Sequence, residues 1–127
     1  MTNDKHSLRT EFLAIRQAVS QDTRAVASQA IIPHALKLIL QDATVAGYVA
    51  IRGELDVFVA LAGLCARGNT LCLPVTLSNR ELIFRQFTPG DVLDNGAYGI
   101  AIPPASSPIV VPEVLLVPLV AFDKAGH

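Results

Sequence analysis

Charge of one sign is missing from this sequence. Ten basic residues stand against eleven acidic ones, for a net charge of −1. Without a basic excess to neutralise a run of phosphates, nucleic-acid binding is not expected. Long apolar runs are missing as well. The longest, Val114 to Phe122, has nine residues, and a membrane span needs about 20, so no membrane association is expected. The opening Met1-Thr2-Asn3-Asp4-Lys5-His6 has no apolar signal core, which argues against a secretory route. Cys65 and Cys72 are too few for a disulfide scaffold, and their spacing matches no zinc pattern. They read as buried thiols in a reducing compartment, and the expected location is cytoplasmic. His6, His34 and His127 are scattered and form no ligand-like cluster. No repeat, P-loop, GxGxxG, HExxH or Ser/His/Asp constellation is present.

What is present suits one packed domain. The chain has 127 residues, 51% of them hydrophobic and 17% charged. That is too apolar for a disordered chain, and at this size a domain buries roughly two-thirds of its unfolded surface. Leu8, Phe12, Ile15 and Val19 recur at helical spacing and predict one apolar stripe, with Asn3 or Asp4 as its cap. A second helical run is expected from about Asp22 to Leu40, capped by Ser20. Its apolar side is Val26, Ala30, Ile31, Leu38 and Ile39, and Pro33 should interrupt it.

The period then changes. Thr44 to Ile51 reads as a strand, Arg52-Gly53-Glu54-Leu55 as a turn, and Val57 to Arg67 as a helix capped by Asp56 and closed by Gly68. Thr70 to Val75 is the next strand, completing a βαβ unit with a parallel pair. Glu81 to Phe87 is expected as an outer antiparallel strand. Thr88 to Pro112, with three of the eight glycines and five of the eight prolines, reads as a long loop. Val114 to Val120 suits a strand buried on both faces, ending or bulging near Pro118. Such a strand wants neighbours and helices on both sides. The chain, a single domain over 1–127, is therefore expected to be incomplete relative to the architecture it begins.

In open α/β sheets, ligands bind at the carboxyl ends of parallel strands. Two polar turns fall there, Arg52-Gly53-Glu54 and Asp123-Lys124-Ala125-Gly126, and on neighbouring strands they would line one crevice. At 100° per residue, Lys5, Arg9 and Arg16 fall within roughly 40° of one another, at one border of the apolar stripe. They could meet an anionic ligand, or simply snorkel beside a buried face. Glu54 could act on a ligand, be an exposed turn carboxylate, or pair with Arg52. Asp123 reads equally as a cap or a magnesium ligand. Tyr98 is either an aromatic pocket wall or a loop residue packed on the domain.

Several segments together carry a resemblance. Lys5-His6-Ser7-Leu8-Arg9 matches a Lys-x-x-Leu-Arg opening, and Gly47-Tyr48-Val49-Ala50-Ile51-Arg52-Gly53-Glu54-Leu55-Asp56 a strand ending in a glutamate turn. Leu73-Pro74-Val75, Leu82-Ile83-Phe84-Arg85, Thr88-Pro89-Gly90-Asp91, Tyr98-Gly99-Ile100-Ala101-Ile102-Pro103 and Leu115 to Asp123 follow in order. The chain resembles the 5-formyltetrahydrofolate cyclo-ligase (methenyltetrahydrofolate synthetase) family over nearly its whole length. The resemblance implies a Rossmann-like three-layer α/β/α sandwich with a mostly parallel sheet. It also implies conversion of 5-formyltetrahydrofolate, with ATP and magnesium, into 5,10-methenyltetrahydrofolate, ADP and phosphate. On it, Lys5 and Arg9 would hold ATP phosphates, with Arg9 also near the folate, while Val49 and Glu54 would contact the folate. Asp123 is not assigned to the metal. That family continues into a Gly- and Tyr-rich nucleotide loop, which is not in this sequence. The chain alone is therefore expected to be inactive and to self-associate through an uncovered sheet edge. Two other readings stay open: an inactive fragment or non-catalytic binding module, and another enzyme on a similar sheet, such as a sugar-phosphate isomerase or coenzyme A transferase.

Overall fold

Asp4 approaches the first helix in extended backbone, and its carboxylate accepts the Ser7 N–H at 2.6 Å. That cap opens α1 (Lys5–Ala18). Asn3, the other candidate cap, lies outside the described residues, which run from 4 to 127 in this computed structural model. Ser20 caps α2 (Gln21–Ala30) in the same way, accepting from the Thr23 N–H at 3.1 Å. The expected second helical run divides at Ile31, which closes α2 and opens α3 (Ile32–Leu38). Pro33 sits in the first turn of α3, where its N–H would have had no intrahelical partner. The stripe of α1 does not become core: no residue of α1 is buried, and Leu8, Ile15 and Val19 are exposed. Val26 and Leu38 are exposed too, whereas Ile31 and Ile39 pack as expected. Helical spacing marks a face as apolar, but what covers that face is decided elsewhere in the chain.

The next elements are β1 (Thr44–Ala46), α4 (Phe58–Ala66), β2 (Thr70–Thr76), β3 (Leu82–Phe87), β4 (Asp94–Asn95), β5 (Ala101–Ile102) and β6 (Val114–Leu115). The main sheet has the order β3-β2-β1-β6. β1 is parallel to both β2 and β6, and β3 is antiparallel to β2. This is the α/β architecture with a mostly parallel sheet that the sequence implies. Register aligns one row of side chains across all four strands: Phe87 opposite Leu71, Leu71 opposite Val45, Val45 opposite Val114. That row packs with Leu61 and Leu64 of α4 and with Val57 and Ile39. A fully buried side chain of this size stabilises by about 1.5–3 kcal/mol, so this layer is the core.

Helix α4 ends on a double hydrogen bond, Gly68 N–H to Cys65 carbonyl (2.9 Å) and Asn69 N–H to Leu64 carbonyl (3.0 Å). Gly68 has φ +107°, which favours glycine there. Asn69 is buried and donates to the Leu40 and Ala43 carbonyls at 2.9 and 2.8 Å. Val57 takes the cap position expected of Asp56, although the Asp56 carboxylate still accepts the Phe58 N–H at 2.9 Å.

Strand β1 is much shorter than the expected 44–51, because Gly47 turns away against Leu61. A Cβ on Gly47 would lie 2.4 Å from a Leu61 methyl. Pro74 is accommodated in β2 for the same reason. Cys72, two residues earlier, gives its carbonyl to Gly47 N–H, so the donor that Pro74 lacks faces the side β1 has already left. β6 is cut short too. β1 offers it only Val45 and Ala46 as partners, so the ladder stops well before Val120. The run is not buried on both faces. Val114, Leu116, Pro118 and Val120 are half-buried, while Leu115, Val117 and Leu119 are 54%, 68% and 58% exposed.

The segment 88–112 is more ordered than a plain loop. β4 and β5 pair as a hairpin, β5 packs on β2, and Pro103 is fully buried. Pro108 and Val110 hydrogen-bond along the outer side of β3, covering part of that edge. Tyr98 is neither pocket wall nor packed residue: it stands at the hairpin tip with φ +60° and is 91% exposed.

Candidate ligand clefts

One cleft of about 850 Å³ opens at the N-terminal end of α1. Lys5 and Arg9, one helical turn apart, share it with Phe12, Phe122 and Asp123. Two cations beside an apolar wall suit a ligand with an anionic part and a flat apolar part. Asp123 is committed to its own turn. Its Oδ1 accepts from the Ala125 and His127 N–H groups, both at 2.9 Å, and its Oδ2 lies 3.1 Å from His127 Nδ1. The hydrogen bonds from His127, backbone first, hold the Asp123 carboxyl below its ordinary range. The capping alternative for Asp123 is the one observed. Among the described residues no group of three or more His, Cys, Asp or Glu could hold a metal ion.

A second cleft of about 510 Å³ lies between α2 and the turn after β1, and Glu54 lines it with Arg24 and Arg52. Arg52 (φ +50°) and Gly53 (φ +81°) make the turn left-handed. It is tied down on several sides. Glu54 N–H donates to the Ile51 carbonyl at 3.0 Å, and Glu54 Oε1 accepts the Ile51 N–H at 3.0 Å. Arg16 Nη2 donates to the Arg52 carbonyl at 3.1 Å. Arg24 Nη2 donates to the Arg16 and Gln17 carbonyls at 2.8 and 3.1 Å, closing the end of α1. A Cβ on Gly53 would stand 3.0 Å from that Arg24 nitrogen, so the positive φ and the close approach both call for glycine. Glu54 is thus a turn-locking carboxylate and not the partner of Arg52. Tyr48 donates its hydroxyl to the Leu55 carbonyl at 2.6 Å. Burial raises the Tyr48 pKa, and the charges of Glu54 and Asp56 push it the same way.

The expected residues therefore separate. Lys5 and Arg9 come together, but Arg16 is drawn to the other end of α1, roughly 16 Å along the axis at 1.5 Å per residue. Glu54 belongs to the second cleft. Val49 is half-buried against the core and lines neither cleft. The turns after β1 and β6 follow neighbouring strands, yet they open into two clefts and not one crevice. Arg24 escaped the sequence reading. It meets Arg16 only because the chain reverses at Val19 and Ser20, and no spacing within α2 announces that.

Known proteins similar to this chain come from one family. The chain is 29% identical over 134 aligned residues to the 5-formyltetrahydrofolate cyclo-ligase of Haemophilus influenzae, covering 99% of this chain and 72% of that protein. The NMR structure of Aquifex aeolicus 5,10-methenyltetrahydrofolate synthetase superposes with a TM-score of 0.77 at 30% identity, over 94% of this chain and 62% of that one. The chain thus spans less than two-thirds of the Aquifex protein. The Mycoplasma pneumoniae 5,10-methenyltetrahydrofolate synthetase shares the fold, with a TM-score of 0.69 at 23% identity over 95% of this chain and 67% of that one. The profile of the 5-formyltetrahydrofolate cyclo-ligase family, whose members are ligases, matches residues 1–127, and the chain that sets Lys5 beside Arg9 and locks its strand-end turn with Glu54 belongs to that family.

Proposed function

We propose that this chain serves the ATP-dependent conversion of 5-formyltetrahydrofolate to 5,10-methenyltetrahydrofolate. One observation carries the reading: Lys5 and Arg9 share a cleft in a chain matched from end to end by the cyclo-ligase family. The chemistry needs a better leaving group than a formamide oxygen. That oxygen attacks the γ-phosphorus of ATP, and an O–P bond forms as the bond to the ADP oxygen breaks. N10 then adds its electron pair to the activated carbon and gives its proton to solvent. The carbon–oxygen bond breaks, releasing phosphate and leaving the 5,10-methenyl bridge. Such transfers depend mainly on positioning and charge neutralisation. Lys5 and Arg9 supply positive charge for the phosphates in the 850 Å³ cleft, and the folate would have to span from Arg9 there to Glu54 in the second cleft to bring its formyl oxygen to the γ-phosphorus. Glu54 has one oxygen committed to Ile51 and the other available for donors on the pterin ring. Magnesium would travel on the phosphate oxygens, which suits a chain whose Asp123 is engaged in its own turn. The reading makes this a cytoplasmic protein of folate one-carbon metabolism with small-molecule ligands. Among the described residues no helix is long and apolar enough to cross a membrane.

Calorimetric titration of ATP tests the cleft. Lys5→Ala should weaken ATP binding about tenfold or more, as loss of a charge-assisted contact requires. Equal affinity would remove the cleft from the reaction. Turnover is read as the absorbance of methenyltetrahydrofolate on mixing the protein with 5-formyltetrahydrofolate, ATP and magnesium. A protein that binds both ligands without that rise would be a binding module instead.

A further inference from the structure

Helix α1 is tied down at one end only. None of its residues is buried, and a 14-residue helix without a buried face is marginal on its own. Its first half lines the 850 Å³ cleft through Lys5, Leu8, Arg9 and Phe12. Among the described residues, every hydrogen bond that ties α1 to a distant part of the chain falls at Arg16 or Gln17. Arg24 Nη2, on α2, donates to the Arg16 and Gln17 carbonyls in the last turn, where a cation also meets the negative end of the helix dipole. Arg16 Nη2 donates in turn to the Arg52 carbonyl, in the turn after β1. The joint is close-fitting, since a Cβ on Gly53 would stand 3.0 Å from Arg24 Nη2 and 3.4 Å from the Arg16 carbonyl oxygen. The direction in which α1 presents Lys5 and Arg9 is therefore set from its far end, roughly 10 Å along the axis beyond Arg9.

The same joint grips the turn that carries Glu54. Arg16 lines neither cleft, so it acts on a ligand only through what it holds. The Nε atoms of Arg16 and Arg24 are buried with no hydrogen-bond partner. A pair that leaves two buried donors unmatched serves stability poorly, and what its Nη2 bonds secure is geometry. We propose that Arg16 and Arg24 are positioning residues that make α1 a lever between the two clefts. A ligand on the Glu54 turn stiffens that turn, the turn fixes the last turn of α1, and α1 then holds Lys5 and Arg9 in place for a phosphate. The coupling is reciprocal, so a phosphate held by Lys5 and Arg9 steadies the Glu54 turn equally. The coupling of the two ligands rests on the proposed function; the brace at the end of α1 does not.

Amide hydrogen exchange of the ligand-free chain tests the brace. Arg24→Gln should speed exchange from Arg9 to Leu13 about tenfold or more, and Arg16→Gln should do so more weakly. The core amides of Leu71 and Leu73 should keep their rates in both variants, which shows that the fold is intact. Unchanged rates from Arg9 to Leu13 in both variants would overturn the proposal. Titration of the β,γ-imido analogue of ATP, which cannot turn over, then reads the coupling. Saturating 5-formyltetrahydrofolate should tighten its binding to the unchanged chain about tenfold. In Arg16→Gln each ligand alone should bind within about threefold of its usual affinity, while the tightening falls to about twofold or less. A merely structural role for Arg16 would not remove the coupling and spare the separate affinities. Both ligands binding without coupling, or coupling that survives Arg16→Gln, would overturn the lever. Faster exchange in a chain that binds neither ligand keeps the brace and removes the proposed function instead.

Discussion

Asn69 joins three pieces of chain through one amide. Its Nδ2 bridges the Leu40 and Ala43 carbonyls, and its Oδ1 accepts Arg67 Nε at 3.0 Å. Arg67 in turn donates to the Leu36 and Ile39 carbonyls at 2.6 and 2.8 Å. Asn69→Ala leaves buried carbonyls unmatched and should cost about 2–3 kcal/mol, read from urea unfolding; a loss within about 0.5 kcal/mol would mean water replaces the amide. Cys72 makes a second residue-scale test. Burial pushes its thiol from 9.0 up to about 11. The folded state therefore favours the protonated thiol. Its contribution is complete below about pH 9 and is lost as the pH rises through about 11. Stability should fall less steeply over that window in Cys72→Ala than in the unchanged chain, and parallel curves would refute the assignment. Cys65, only half-buried, should react with a thiol reagent well before Cys72. For Glu54→Gln, the retained amide oxygen keeps the Ile51 hydrogen bond, while the lost charge should weaken 5-formyltetrahydrofolate binding by roughly a hundredfold. ATP binding should stay within about twofold, and equal loss for the two ligands would rule out the role.

Elements were legible from the sequence wherever their causes are local. Ser20 before α2, Gly68 after α4 and the tight turn at Arg52-Gly53 all act within a few residues, and all appear where read. Strand lengths were not legible, because a ladder is only as long as its shorter partner. Thr44 to Ile51 has the composition of a long strand, yet Gly47 leaves the sheet against Leu61, and β6 stops because β1 does. The candidate site divides in the same way. Helical spacing alone put Lys5 beside Arg9, while the meeting of Arg16 with Arg52, 36 residues apart, depends on the folded path. The β1 exit offers its own check. Gly47→Ala should destabilise by about 1–3 kcal/mol through overpacking on Leu61, measured by thermal or urea unfolding. An unchanged midpoint would mean that Leu61 moves aside freely.

At the scale of the molecule, the core row runs unbroken from Phe87 to Val114, while the outer stripe of β6 and the segment after it stays uncovered. Leu115, Val117 and Leu119 form an apolar ribbon next to an edge strand, a surface that invites a second chain. Sedimentation velocity should show the chain's apparent mass rising with concentration. Val117→Lys combined with Leu119→Glu should abolish that rise while leaving the unfolding midpoint nearly unchanged; persistence of the rise would locate the contact elsewhere. The same sheet has a history written into its register. Thr44 exchanges hydrogen bonds with Glu113, 69 residues further on. At ribosomal rates of about 5–20 residues per second, the middle strand of the sheet waits several seconds after its own synthesis before its last partner exists. During that interval one side of β1 is bare, and a nascent chain paused before Val114 is a natural client for a ribosome-bound chaperone.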